Sequence, residues 1–251
     1  MSTADAPGPM LPHGDSLAVE LTTAIHGGDL AALRRLLTEQ PALASARLID
    51  RKGGSRTLLH VATDWPGYFP NGPRIAELLI AAGADIDPRG ADGTGETPLH
   101  WAASSDDAAV ARVLIDHGAD IEAADGSIGT PLDNAIGYGC WNVARLLVAR
   151  GARVDKLWHA AALGLLDRLE ELANTDPPPT AAALNQALWH ACAGGQRRAA
   201  ELVLGLGADL AFTPDYGRGS VLDAASGHGT QRNNLIEWLE GLGVRHAGGD
   251  G

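Results

Sequence analysis

Apolar residues along this chain come in short bursts at helical spacing, separated by breaks. Leu99, Ala102 and Ala103 form a stripe at i, i+3 and i+4. After a polar interval, Val110, Val113, Leu114 and Ile115 form a second stripe, and Gly118 stands where a helix end needs a left-handed residue. Pro98 sits where the first turn of a helix tolerates a missing N–H. A leucine followed three residues later by alanine occurs seven times: Leu21/Ala24, Leu59/Ala62, Leu99/Ala102, Leu132/Ala135, Leu157/Ala160, Leu188/Ala191 and Leu222/Ala225. The pattern predicts paired short helices, with alanines small enough to let a neighbouring helix approach closely.

The spacing between bursts is also regular. Leu99 to Leu132 is 33 residues, and so is Gly118 to Gly151. The stretch Thr97-Pro98-Leu99-His100-Trp101-Ala102-Ala103, closed by Gly118-Ala119-Asp120, resembles the ankyrin repeat, whose marks are T-P-L-H and this period. The resemblance is most specific at 97–151, good at 57–87 and 188–210, and weaker at 17–40, 156–172 and 220–243. It implies an all-α solenoid of about seven helix-turn-helix repeats with short β-hairpin fingers. The repeats would occupy residues 16–245, between disordered tails at 1–15 and 246–251. In this family the first helices and the fingers form a concave groove that mostly binds other proteins.

Two repeats break the beat. Leucine to closing glycine is 19 residues in the regular repeats, but Leu59 to Gly83 is 24. The extra residues fall in the loop 63–73, which carries three prolines and three of the eleven aromatics of the chain, Trp65, Tyr68 and Phe69. Insertions in repeat proteins map to loops, often on the binding face. Packing of Trp65 and Phe69 into a local gap is the competing explanation. In the fifth repeat, Gly151 to Leu157 is only 6 residues, so its finger should be missing or reduced. Pro177-Pro178-Pro179 must end a helix there, and Thr180 is placed to cap the next.

Composition narrows the partner. The net charge is −12, which argues against phosphate backbones and against adhesion to a membrane through basic residues, and favours a basic protein partner. The N-terminus has neither the basic nor the apolar region of a signal peptide, and no apolar run approaches a membrane span. The chain reads as a soluble, cytoplasmic monomer; its bias toward alanine, and toward arginine over lysine, fits a bacterial source. Cys140 and Cys192 read as inert buried thiols. No Cys/His spacing resembles a metal site and no cofactor fingerprint occurs, so neither metal nor cofactor is expected.

Aligned repeats expose the candidate chemistry. His60 and His100 match the T-P-L-H histidine, for which the resemblance implies a structural task, tying neighbouring turns by hydrogen bonds. That position holds Asp133, Trp158 and Trp189 in the next three repeats. Asn134, His159 and His190 occupy the following position, which the family usually fills with an apolar residue. The bland reading is a packing variant around the lost finger. The sharper one is a small-molecule pocket lined by Trp65, Trp101, Tyr138 and Trp141, with Asp133, His159 and His190 as acid–base groups of an isomerase, cyclase or lyase. The favoured reading is a protein-interaction scaffold that uses the concave face and the loop 63–73, with Asp64, Trp65, Tyr68, Trp101, Ser104, Asn134, Tyr138 and Trp141 as contacts.

Overall fold

A computed structural model describes residues 8–90, 94–227 and 229–248 of the 251. Contacts divide the chain into two compact units, Met1–Ala152 and Arg153–Gly251. Among the described residues there are fourteen α-helices, arranged in sequence as seven pairs. None is long and apolar enough to cross a membrane.

The first unit holds four pairs: α1 (Ser16–Gly27) with α2 (Leu30–Glu39), α3 (Leu58–Ala62) with α4 (Gly72–Ala81), α5 (Pro98–Ser104) with α6 (Ala108–Asp116), and α7 (Pro131–Gly137) with α8 (Trp141–Ala149). Proline opens α5 and α7 at the first turn, as the sequence requires. First helices stack on first helices and second on second: α1 on α3, α5 on α7, α4 on α6. Leu21, Leu59, Leu99 and Leu132 are buried, as are their partner alanines Ala24, Ala62, Ala102 and Ala135. The alanines let the helices close up, and the leucines fill the seam.

The expected β-hairpin fingers are strand-paired at one place among the described residues. β2 (Arg47–Ile49) pairs antiparallel with β3 (Ser55–Thr57), using the long connection before the second repeat. In the later fingers the described residues show isolated backbone bonds, such as Gly90 N–H to Glu96 O (2.9 Å) and Gly126 N–H to Gly129 O (3.0 Å). The expected N-terminal tail also needs correcting. Met10–Pro12 form β1, parallel to β2 with Leu11 opposite Leu48, and Asp15 caps α1. The free edge of β2 takes up this segment; residues 1–7 lie outside the described residues.

The second unit holds α9 (Leu157–Leu163) with α10 (Leu166–Ala173), α11 (Ala181–Ala193) with α12 (Arg197–Gly205), and α13 (Val221–Ala225) with α14 (Asn233–Gly241). Thr180 caps α11 through its hydroxyl, as its position after the prolines predicts. α11 packs on both α9 and α13. The expected fraying from residue 246 does not begin there. His246 Nδ1 lies 2.5 Å from Asp223 Oδ1, and the Ala247 N–H donates to Asp223 Oδ2 (2.8 Å). Residues 249–251 lie outside the described residues.

Candidate functional site

The inserted loop is pinned at several points. The Tyr68 N–H donates to Asp107 Oδ2 (2.9 Å), and Tyr68 Oη donates to the Asp106 carbonyl (2.5 Å). Asp107 meanwhile caps α6 through Val110 N–H, and Asp106 accepts from the Asn142 and Val143 N–H groups at the start of α8. On the other side, Asn71 Nδ2 reaches the Gly28 carbonyl, and Phe69 stacks on His26 with ring centroids 4.2 Å apart. The Arg56 guanidinium pairs with Asp64 at 2.8 Å. Phe69 therefore fills the local gap and Trp65 does not: Trp65 is 79% exposed and Tyr68 63%.

Beside this loop lies a pocket of about 170 Å³, lined by Asp64, Trp65, Trp101, Ser104 and Tyr138 together with Thr63, Glu96 and Ser105. Trp101 is steadied by an edge contact on the buried His60 ring, 5.0 Å between centroids. Glu96 is 9% exposed. Its Oε1 accepts from Ser127 N–H (3.2 Å), Ser127 Oγ (2.5 Å) and Asn134 Nδ2 (2.7 Å). The three bonds all end on Oε1, no hydrogen bond to Oε2 is seen among the described residues, and Glu96 is one of the residues that line the pocket. Asn134, fully buried, also donates to Ser104 Oγ (3.2 Å) and so supports the wall from behind. A second hollow, about 210 Å³, lies against α1 and β2 and is mostly aliphatic around Ala18, Val19, Leu48 and Ile49.

Five of the residues singled out from the sequence thus meet in one pocket. Tyr68 and Trp141 are not among its lining residues: Tyr68 braces the loop against Asp106 and Asp107, and Trp141 opens α8. The proposed acid–base set does not join them. Asp133 is a fully buried helix cap, its Oδ2 accepting from Thr130 N–H (2.7 Å) and Thr130 Oγ1 (3.0 Å). It replaces the histidine in the capping box of α7. His159 and His190 belong to the second unit, where both pack on Trp158, at 4.4 and 4.7 Å between ring centroids. His190 Nε2 meets Tyr216 Oη at 3.1 Å, and its Nδ1 has no hydrogen-bond partner among the described residues. Burial, reinforced by the neighbouring His159, pushes His190 down to about 4. At neutral pH it is an uncharged packing group.

His60 and His100 do what the resemblance implies. Each accepts at Nδ1 from the backbone N–H of its own N-cap threonine, Thr57 or Thr97, which leaves Nε2–H to donate onward. The acceptors lie in the next repeat: Glu96 O at 2.9 Å and Gly129 O at 3.0 Å. Burial holds the His100 pKa below its ordinary value. Sequence reasoning missed Glu96. Its signal was there in the aligned repeats, where Arg56, Gly129 and Gly219 stand at the matching position before Thr57, Thr130 and Ser220. Among the described residues, no group of three or more His, Cys, Asp or Glu is placed to hold a metal.

Comparison with known proteins adds three findings. The family described as "Ankyrin repeats (3 copies)" matches residues 68–156. The mouse (Mus musculus) RelA-associated inhibitor is 49% identical over 49 residues, which is 20% of this chain and 6% of that protein's length. The solved structure of the human ASB11 ankyrin repeat domain superposes with a TM-score of 0.54 at 22% identity, covering 87% of this chain and 96% of that one. At that identity the likeness speaks for the fold.

Proposed function

We propose that this chain, an ankyrin-repeat protein, captures a basic protein partner with the first unit, through the loop 63–73 and the aromatic pocket beside it. Ankyrin repeats are generally protein–protein interaction modules. The observation that carries the specific reading is the loop itself. Trp65 and Tyr68 are among the most exposed large side chains described, yet the loop that bears them is tied to Gly28 at the end of α1 and to Asp106 and Asp107 at the start of α6 by side-chain bonds. Aromatic groups held rigid in solvent lose little conformational freedom on docking, which is what interface hot spots need. The net charge of −12 steers a basic partner toward the chain. Against the acid–base alternative stand the capping role of Asp133 and the depressed pKa of His190.

The test is partner capture by the full chain and by a Trp65→Ala/Tyr68→Phe variant of matched melting behaviour. Loss of specific partners from the variant, with binding that weakens as salt is raised, supports the reading. Recovery of the same proteins in the same amounts overturns it.

A further inference from the structure

We infer that the pocket between Trp65, Trp101 and Tyr138 receives one cationic side chain of the partner, arginine or lysine, with Glu96 Oε2 as its counter-charge. The inference rests on the reading of the loop as the contact surface and goes beyond it by assigning the group that enters.

Glu96 is the central observation. A carboxylate nine-tenths buried needs compensation, and three donors supply it at Oε1. The other oxygen has none among the described residues, and no cation among them is paired with it. The two nearby arginines are committed elsewhere. Arg56 bonds Asp64 at 2.8 Å, and the Arg89 guanidinium donates to the backbone carbonyls of Gly95 (3.0 Å) and Ala124 (2.5 Å). A negative charge thus stands at a pocket wall with its partner position open.

The surrounding groups select the same chemistry. Two indoles and a phenol offer π-faces or edges within one small space, and a cation near such faces gains further attraction when water is shed. Trp101 is fixed by His60, while Trp65 and Tyr138, 79% and 57% exposed, present their rings to an entering group. Size sets a further limit. About 170 Å³ accommodates a guanidinium or ammonium head with part of its stem. It falls below the roughly 300–1,000 Å³ of sites for drug-sized ligands and cofactors. A protruding basic side chain fits; a free cofactor does not.

The experiment uses the full-length chain and three blocked tripeptides, Gly-Arg-Gly, Gly-Lys-Gly and Gly-citrulline-Gly, titrated while the indole N–H resonances of Trp65 and Trp101 are followed by NMR. The arginine and lysine peptides should shift both resonances saturably. The citrulline peptide, of the same shape without the charge, should bind at least about tenfold more weakly. Glu96→Gln should erase that discrimination. Because Glu96 also holds Ser127 and Asn134, Trp65→Ala is the second variant; its side chain is exposed, so the fold survives and affinity should fall about tenfold or more. Equal shifts with arginine and citrulline, or no saturable shift with any peptide, overturn the inference. If the peptides fail while Trp65→Ala/Tyr68→Phe still loses its partners, this assignment falls and the interaction reading stands. If the charged peptides bind selectively but partner capture is unchanged in that variant, the interaction reading falls instead.

Discussion

At the scale of single residues, the capping position decides more than the groove-facing chemistry the sequence first offers. His60 and His100 reach back to their own N-cap and forward to the next repeat, so each closes two backbone groups that would otherwise be buried unpaired. His100→Ala should cost about 2–4 kcal/mol in urea denaturation, from a lost cap and a stranded carbonyl. Where aspartate takes over, the backbone before it must clear the carboxylate. Gly129 has φ +147°, and a Cβ there would sit 2.3 Å from Asp133 Oδ2; Gly219 repeats the arrangement before Asp223, with φ +78° and the same 2.3 Å. Gly129→Ala should therefore destabilise by more than about 1 kcal/mol, measured the same way. His190 gives a pH signature. The unfolded chain binds its proton near 6.5 and the folded chain only near 4, so between these values the unfolded form holds more proton. Its contribution is complete above pH 6.5 and falls by about 3 kcal/mol as pH drops to 4, making the folded second unit weaker in acid. His190→Gln should flatten that slope in stability measured from pH 7 to pH 4.

At the scale of elements, the helix pairs were legible and the connections between them were not. All seven leucines and their seven alanines are buried, because the helical period of an amphipathic stripe survives in any one sequence. The loop 63–73 was legible as an insertion, through the count from Leu59 to Gly83, but its anchoring was not. Asp106, Asp107 and Asn142 lie 36–39 residues from the groups they meet, and a local pattern carries no record of such pairs. The same limit applies to Glu96, whose side chain meets Ser127 and Asn134 across 31 and 38 residues. Asn134, His159 and His190 stand at matching repeat positions in the sequence, and all three are buried: Asn134 supports the pocket wall, and the two histidines pack on Trp158 within the second unit. Phe69→Ala should cost about 1–3 kcal/mol in thermal or urea melts through loss of the stack on His26, whereas Trp65→Ala should change stability by less than about 0.5 kcal/mol. A comparable loss for both would show that Trp65 is a packing residue after all.

At the scale of the whole molecule, helix pairs within each unit contact their neighbours, so damage in one repeat spreads by contact with the next in that unit. Leu99→Ala and Leu132→Ala, both in fully enclosed seams of the first unit, should each cost about 2–5 kcal/mol. Hydrogen exchange should place the lost protection first in α5 and α7. The residue that most concentrates this coupling is Glu96. Its carbonyl receives the histidine of the second repeat, and its carboxylate gathers the finger and first helix of the fourth. One residue, through its carbonyl and its carboxylate, is in effect a rivet through three storeys of the same building. Whatever tightens the rivet hardens every storey it passes through, so a set of basic peptides can be ranked by how far each raises the melting temperature of the chain, before its natural target has been met.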